Sequence, residues 1–185
     1  MRLFIAIKLP GEARDYLFTI KNNFSRDLAK VKWVGKKQIH LTLKFLGEVD
    51  EKIIKEIISK LKEVEFKEFE LELDDLGFFP NEDYIKVLWV GVKNFNKIIE
   101  LHDDIDEKLS KYFTKDREFS CHITLGRIKF VKDKKYFLDI IKKTKIEKLK
   151  FSVKSFSLIK SELSKDGSKY IDIENFYNKT KNILI

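Results

Sequence analysis

His40-Leu41-Thr42-Leu43-Lys44-Phe45-Leu46-Gly47 is an alternating run whose opening tetrad returns as His122-Ile123-Thr124-Leu125, followed by Gly126-Arg127. The chain holds only three histidines, and two of them stand in this repeated pattern. Apolar and polar residues in strict alternation read as a strand. Side chains two apart on a strand share a face. His40 and Thr42 therefore project together, with Leu41 and Leu43 on the opposite face, and the same holds for His122 and Thr124. Each copy offers an imidazole beside a hydroxyl, on a strand anchored by aliphatics behind it. Lys44 has the parity of His40 and is expected as a further cation at the mouth of the same face. Phe45 has the opposite parity and is expected in the core. Arg127 falls on the wrong parity for His122, but a bulge at Gly126 would re-aim it. It is kept as a phosphate partner on that condition.

These residue types suit chemistry at phosphorus. An imidazole with an ordinary pKa of about 6.5 gives or takes a proton near neutrality. In-line displacement at a phosphodiester needs one proton to leave the attacking oxygen and one to reach the departing oxygen. Two histidines flanking a phosphate supply both without a metal, and positioned acid–base groups typically contribute about 10²–10⁴-fold. Threonine hydroxyls can donate to the non-bridging oxygens, where charge resides throughout. A metal site built from His40, His122 and His102 has no supporting cluster of ligand residues, so neither metal nor cofactor is expected. His102 lies next to Asp103 and Asp104 and is expected to face solvent. Cys121 precedes a motif histidine and reads as a small buried residue. Phe45, Trp33 and Phe79 are candidates to stack on a base, but with 16 Phe in the chain core packing is the stronger expectation for each.

The rest of the chain alternates strands and helices. Met1–Lys8 reads as a strand, and Glu12–Lys30 as an amphipathic helix carrying Tyr16, Leu17, Ile20, Phe24 and Leu28. Val31–Val34 is a short strand, and the first motif strand is Ile39–Leu46. Asp50 caps a helix to about Val64. Phe66–Leu76 is a strand, Gly77-Phe78-Phe79-Pro80-Asn81 a turn or loop, and Tyr84–Val92 a strand. Asn94 or Asn96 caps a helix to about Tyr112. Cys121–Phe130 is the second motif strand, Asp133–Lys142 a short helix, Lys148–Leu163 a long strand region, Lys165-Asp166-Gly167-Ser168 a hairpin turn, and Tyr170–Phe176 the returning strand. This order is α+β, with helices outside antiparallel sheets. The repeat implies two similar lobes that bring the two His/Thr strands face to face.

The 185 residues suffice for one sizeable core, and a hydrophobic content of 43% with 37% charged residues describes a globular chain. No apolar run is long enough to span a membrane. One cysteine excludes an internal disulfide and a multi-cysteine metal site, and a cytoplasmic location is expected. The net charge of +8 favours polyanions, RNA among them, although a lysine-rich solvated surface explains it equally well.

With Arg2-Leu3-Phe4-Ile5-Ala6-Ile7, Gly77-Phe78-Phe79-Pro80 and Ser161-Glu162-Leu163…Gly167…Tyr170 as context, the two tetrads resemble those of the two-histidine (2H) phosphoesterases. More narrowly, they resemble the RNA 2′,3′-cyclic phosphodiesterases, also called 2′-5′ RNA ligases, over essentially the whole chain. The resemblance implies a single domain, 1–185, of two intertwined lobes around a central cleft. It implies hydrolysis of an RNA 2′,3′-cyclic phosphate to a 2′-phosphate without metal or ATP, and ATP-independent 2′-5′ joining as a reverse-type activity. His40 would be the general acid and His122 the general base, or the reverse. Thr42, Thr124 and Arg127 would hold the phosphate. The partner implied is RNA with a 2′,3′-cyclic end, tRNA fragments among the candidates, and the chain is expected to act as a monomer away from membranes. The family often has Pro before the second histidine, where this chain has Cys121. Two other readings compete: a 2H enzyme acting on a small cyclic nucleotide, and an RNA-binding module without chemistry.

Overall fold

The computed structural model describes residues 1–164 and 167–178. Nine strands and four α-helices lie among them: β1 (Arg2–Lys8), α1 (Gly11–Thr19), β2 (Ala29–Trp33), β3 (His40–Glu48), α2 (Ile54–Leu61), β4 (Phe69–Asn81), β5 (Tyr84–Lys93), α3 (Asn96–Lys108), β6 (Ile123–Val131), α4 (Lys134–Lys143), β7 (Lys150–Val153), β8 (Ser155–Ser164) and β9 (Gly167–Tyr177). The strands run β7-β4-β5-β6-β3-β1-β8-β9, with β2 also paired to β6. Every pairing is antiparallel. The α+β reading and the two-part plan therefore hold. Strands β7, β4, β5, β6 and β2 form one half, β3, β1, β8 and β9 the other, and the halves meet where Leu41 pairs with Ile123. The motif strands consequently lie side by side in the sheet rather than face to face.

Alternation assigns the two faces. Leu3, Ile5, Ile7, Leu41, Leu43, Leu88, Val90, Ile123 and Leu125 are buried on one side. They share a core with Leu17 of α1, Ile57 and Leu61 of α2, Ile98, Leu101 and Ile105 of α3, and Phe137 and Ile141 of α4. Among the described residues no helix packs into the opposite face. A small separate cluster of Phe4, Ala6 and Ile159, with Tyr170 packed on it, lies there.

Several boundaries differ from expectation, each for a physical reason. The helix expected to Lys30 ends at Thr19, followed by a 3-10 turn at Ile20–Asn23. Beyond it the Asp27 N–H donates to Ser25 Oγ at 3.2 Å, a local side-chain bond that competes with helix. Phe24 and Leu28 stay buried, so their apolar spacing imitates a helix the backbone does not form. Gly77–Asn81 continues β4 instead of forming a loop. The turn comes later, where Asn81 Oδ1 accepts from the N–H groups of Asp83 at 3.1 Å and Tyr84 at 3.0 Å. Gly77 is needed for the close approach of Trp89, since a Cβ there would lie 2.2 Å from Trp89 Cζ2. The long strand expected from Lys148 divides at Lys154: β7 pairs with β4, whereas β8 pairs with β1 and β9. Asp50 caps as expected, accepting from Lys52 N, and Asp133 also proves to be a cap, accepting from Tyr136 N. Neither Asn94 nor Asn96 caps α3 with its side chain, and Asn94 instead adopts a left-handed backbone (φ +61°). Of the expected hairpin turn, Lys165 and Asp166 lie outside the described residues.

Candidate active site

The two motifs are brought together by a single backbone pairing. Leu41 stands opposite Ile123. One step to either side, antiparallel register sets His40 across from Thr124 and Thr42 across from His122. All four side chains point away from the leucine-rich core, so an approximate twofold axis passes through the Leu41–Ile123 pair.

Both rings are held in the same way. His40 Nδ1–H donates to the Gln38 carbonyl at 2.6 Å, and His122 Nδ1–H donates to the Ser120 carbonyl at 2.8 Å. A carbonyl only accepts, so each bond fixes the proton on Nδ1 and leaves Nε2 to face the open side. His40 Nε2 accepts from the Thr42 hydroxyl at 3.0 Å. Among the described residues, His122 Nε2 has no corresponding bond.

Aromatic rings wall both imidazoles. His40 lies 5.0 Å from the Phe4 ring and 5.4 Å from that of Tyr170. His122 lies 5.0 Å from Phe79 and 6.2 Å from Trp89. This apolar cover penalises charge. Burial pushes His40 below its ordinary value of 6.5, the bond to Gln38 opposes the shift, and nearby His122 adds to it. Burial likewise lowers His122, opposed by the bond to Ser120 and assisted by the Arg127 charge. Burial raises the Tyr170 phenol, while Arg127 and Arg2 pull it down. The Cys121 thiol is pushed up to about 12 by burial, which keeps it protonated and unsuited to nucleophilic attack.

A bulge follows each threonine. Against β1, Ala6 pairs with Thr42 and Ile5 with Lys44, so Leu43 is the extra residue. Against β5, Trp89 pairs with Thr124 and Leu88 with Gly126, so Leu125 is the extra residue. Each insertion reverses parity beyond it. Arg127 is thereby exposed on the histidine face, as required for a phosphate partner, with the bulge at Leu125 rather than Gly126. Phe45, expected in the core, is 66% exposed on the same face, with its ring 6.2 Å from Phe4.

Lys44 is turned the other way. It is buried rather than standing at a mouth, paired with Asp106, 3.2 Å from Asp116, and donating to the Thr114 carbonyl at 3.1 Å. His102, expected in solvent, belongs to the same buried network. It is stacked on Phe119 at 4.1 Å and 3.2 Å from Asp116. His102, Asp106 and Asp116 are spaced for a metal, but the Lys44 ammonium already sits against both carboxylates.

Phe4, Tyr170 and Trp89 are site residues the sequence did not single out as such. Phe4 and Tyr170 lie in stretches that carry the family resemblance, but only strand pairing places these three rings beside the histidines. Of the aromatics weighed as base partners, Phe79 does reach a motif histidine, whereas Trp33 packs against Phe24 at 5.6 Å.

The LigT-like phosphoesterase family model matches the chain twice in tandem, over residues 7–89 and 90–170, with one His/Thr tetrad in each match, although strands from both matches are interleaved in each half of the sheet. An antiparallel fold with histidine and threonine repeated on one face is that of the two-histidine phosphoesterases. The chain belongs to the LigT-like phosphoesterase family. It is 39% identical over 172 residues to the RNA 2′,3′-cyclic phosphodiesterase of Methanocaldococcus jannaschii, covering 92% of this chain and 96% of that protein. It is 34% identical to the protein of the same name from Archaeoglobus fulgidus, covering 95% and 99%. A solved protein from Thermus thermophilus superposes with a TM-score of 0.79 at 27% identity, covering 96% of this chain and 97% of that one.

Proposed function

We propose that the chain hydrolyses 2′,3′-cyclic phosphate ends of RNA to 2′-phosphates by two-histidine acid–base catalysis. The observation that supports this reading is the Leu41–Ile123 pairing, which lays the two His/Thr pairs on adjacent strands of one open face, each ring held through Nδ1 so that Nε2 is left for substrate. His122 Nε2 takes a proton from water as the water oxygen attacks phosphorus. The bond from phosphorus to O3′ breaks, and O3′ takes a proton from His40 Nε2. Thr42 and Thr124 donate to the non-bridging oxygens, and Arg127 supplies positive charge beside them. The site's pseudo-symmetry accommodates the reversed assignment of acid and base equally well.

The two imidazoles supply both proton transfers, so no metal or cofactor has a step in this scheme. Replacing water by an RNA 5′-hydroxyl gives 2′-5′ joining without ATP. A monomeric chain of one domain suffices, since both halves contribute to the site. A cytoplasmic location, where RNA ends arise, fits the reading. Among the described residues no helix is long and apolar enough to cross a membrane. The test is turnover of an oligonucleotide ending in a 2′,3′-cyclic phosphate with EDTA present, product position being read by chromatography against authentic 2′-phosphate and 3′-phosphate standards. Abolition of turnover by the chelator, or a 3′-phosphate product, would overturn the proposal.

A further inference from the structure

Past Arg127 the open face of the five-stranded half continues as a basic and aromatic strip. On β2, Lys32 pairs with Arg127 and Lys30 with Phe130, and paired residues share a face. The extra residue Lys129 restores Phe130 to the side of Arg127. On β5, Val87 pairs with Arg127 and with Phe79, and Tyr84 pairs with Asn81, two residues beyond Phe79 on β4. Lys86 is the extra residue there, and Tyr84 again lies on the histidine side. Two register shifts in neighbouring strands thus keep one aromatic each on the catalytic face. Both rings are largely in solvent, Phe130 at 62% and Tyr84 at 59% exposure. They border a cavity of about 210 Å³ that also takes in Lys86, Lys129 and Lys134.

The charges here are left uncompensated. Among the described residues Lys30, Lys32, Lys86, Lys129 and Arg127 make no ion pair, and Lys86 Nζ lies 4.1 Å over the Tyr84 ring. Only Lys134, at the edge, is paired, 3.5 Å from Asp83. In the other half Lys8, opposite His40, is matched by Asp172 at 2.5 Å. Cations without partners, interleaved with exposed rings and continuous with the catalytic face, suit a single-stranded nucleic acid, whose phosphates meet the lysines and whose bases stack on the rings.

We propose that this strip binds the single-stranded RNA leading into the reacting end, with bases stacked on Tyr84 and Phe130. The proposal deepens the cyclic phosphodiesterase reading and rests on it. The run from Thr124 to Phe130 is about 20 Å long at strand rise, so a mononucleotide at the histidines does not reach the aromatic end.

The experiment compares kcat/KM for a 2′,3′-cyclic mononucleotide and a short single-stranded oligonucleotide with a 2′,3′-cyclic end, in the parent chain, Tyr84→Ala/Phe130→Ala and Lys30→Ala/Lys129→Ala. The ratio of oligonucleotide to mononucleotide kcat/KM is expected to fall about tenfold in the aromatic variant. In the lysine variant the log–log salt dependence of oligonucleotide binding should flatten by about 0.7 per lysine. An unchanged ratio and salt slope overturns the strip. So does sedimentation showing that the aromatic substitutions dissociate a dimer while the ratio stays constant. If the parent chain turns over neither substrate, the cyclic phosphodiesterase reading fails separately. Fluorescence anisotropy with an oligonucleotide ending in a 3′-hydroxyl then decides the strip: unchanged affinity in both variants overturns it, and weakened affinity sustains it.

Discussion

The two motif halves are alike up to the threonine and diverge two residues later. Each holds its histidine through a carbonyl two residues upstream, and each inserts an extra leucine after its threonine. Beyond that bulge the first half places Lys44 inside and Phe45 outside, while the second places Gly126 inside and Arg127 outside. The proposed substrate would account for symmetry stopping there. Proton transfer uses two imidazoles, but a nucleotide is not symmetric about its phosphate, and on the proposed reading it would meet Arg127 on one side and Phe45 on the other.

If the histidine pair is functionally symmetric, His40→Ala and His122→Ala should each lower kcat by about 10²–10⁴-fold. RNA affinity by anisotropy should remain within a few-fold of the parent. A loss confined to one histidine would break the comparison at its centre.

The inward positions should differ sharply in stability. Lys44→Met leaves buried Asp106 without its cation, which typically costs about 3–5 kcal/mol, read by urea denaturation. Lys44→Met/Asp106→Leu should recover much of that loss, because an apolar pair no longer strands a charge. At the equivalent position, Gly126→Ala would set a Cβ 2.7 Å from Val31 Cγ1 and should cost about 1–3 kcal/mol. If Lys44→Met proves harmless, the buried network is not what anchors β3 to α3.

The outward positions should differ in chemistry. Arg127→Ala should lower kcat about 10²-fold, as expected for a lost cationic contact to a charged transition state. Phe45→Ala should change kcat by less than about fivefold, since a neutral ring offers the phosphate no charge or donor. Equal losses in kcat would mean that the halves are more alike than their side chains.

The two His/Thr tetrads were legible because an alternating strand carries its own parity, and α2 because its cap residue and apolar spacing agree. The bulges were not, because an extra residue is defined against the partner strand and not within its own sequence. That one omission misplaces Lys44 and Phe45 together. For Arg127 the need for a bulge was evident only because its parity conflicted with its expected role. His102 was misread for a related reason. Asp103 and Asp104 mark α3 as solvated locally, whereas the ring of Phe119 and the carboxylate of Asp116 arrive from beyond the helix and enclose the imidazole. The shortened α1 shows the converse, with Phe24 and Leu28 buried at helical spacing by a chain that has left the helix.

The smallest expected effect, and the finest probe of the symmetry, is pH dependence. Both motif histidines are lowered from 6.5, chiefly by burial, so both are mostly neutral at pH 7. Hydrolysis needs one neutral and one protonated ring. As pH rises, the acid is lost first, so the alkaline limb of kcat/KM should begin below pH 6.5. The acid limb should appear at lower pH, where the base also protonates; mutual repulsion widens the gap between the limbs. Stability follows the same sign. With folded pKa values below the unfolded one, the histidine contribution is fully present above pH 6.5 and is lost as pH falls through the folded values. His40→Gln should therefore flatten the fall in melting temperature on acidification, and Arg127→Ala should move the His122 limb toward higher pH by removing a nearby positive charge. An alkaline limb above pH 7.5 in the parent chain would show that the aromatic walls do not desolvate the rings as their packing implies.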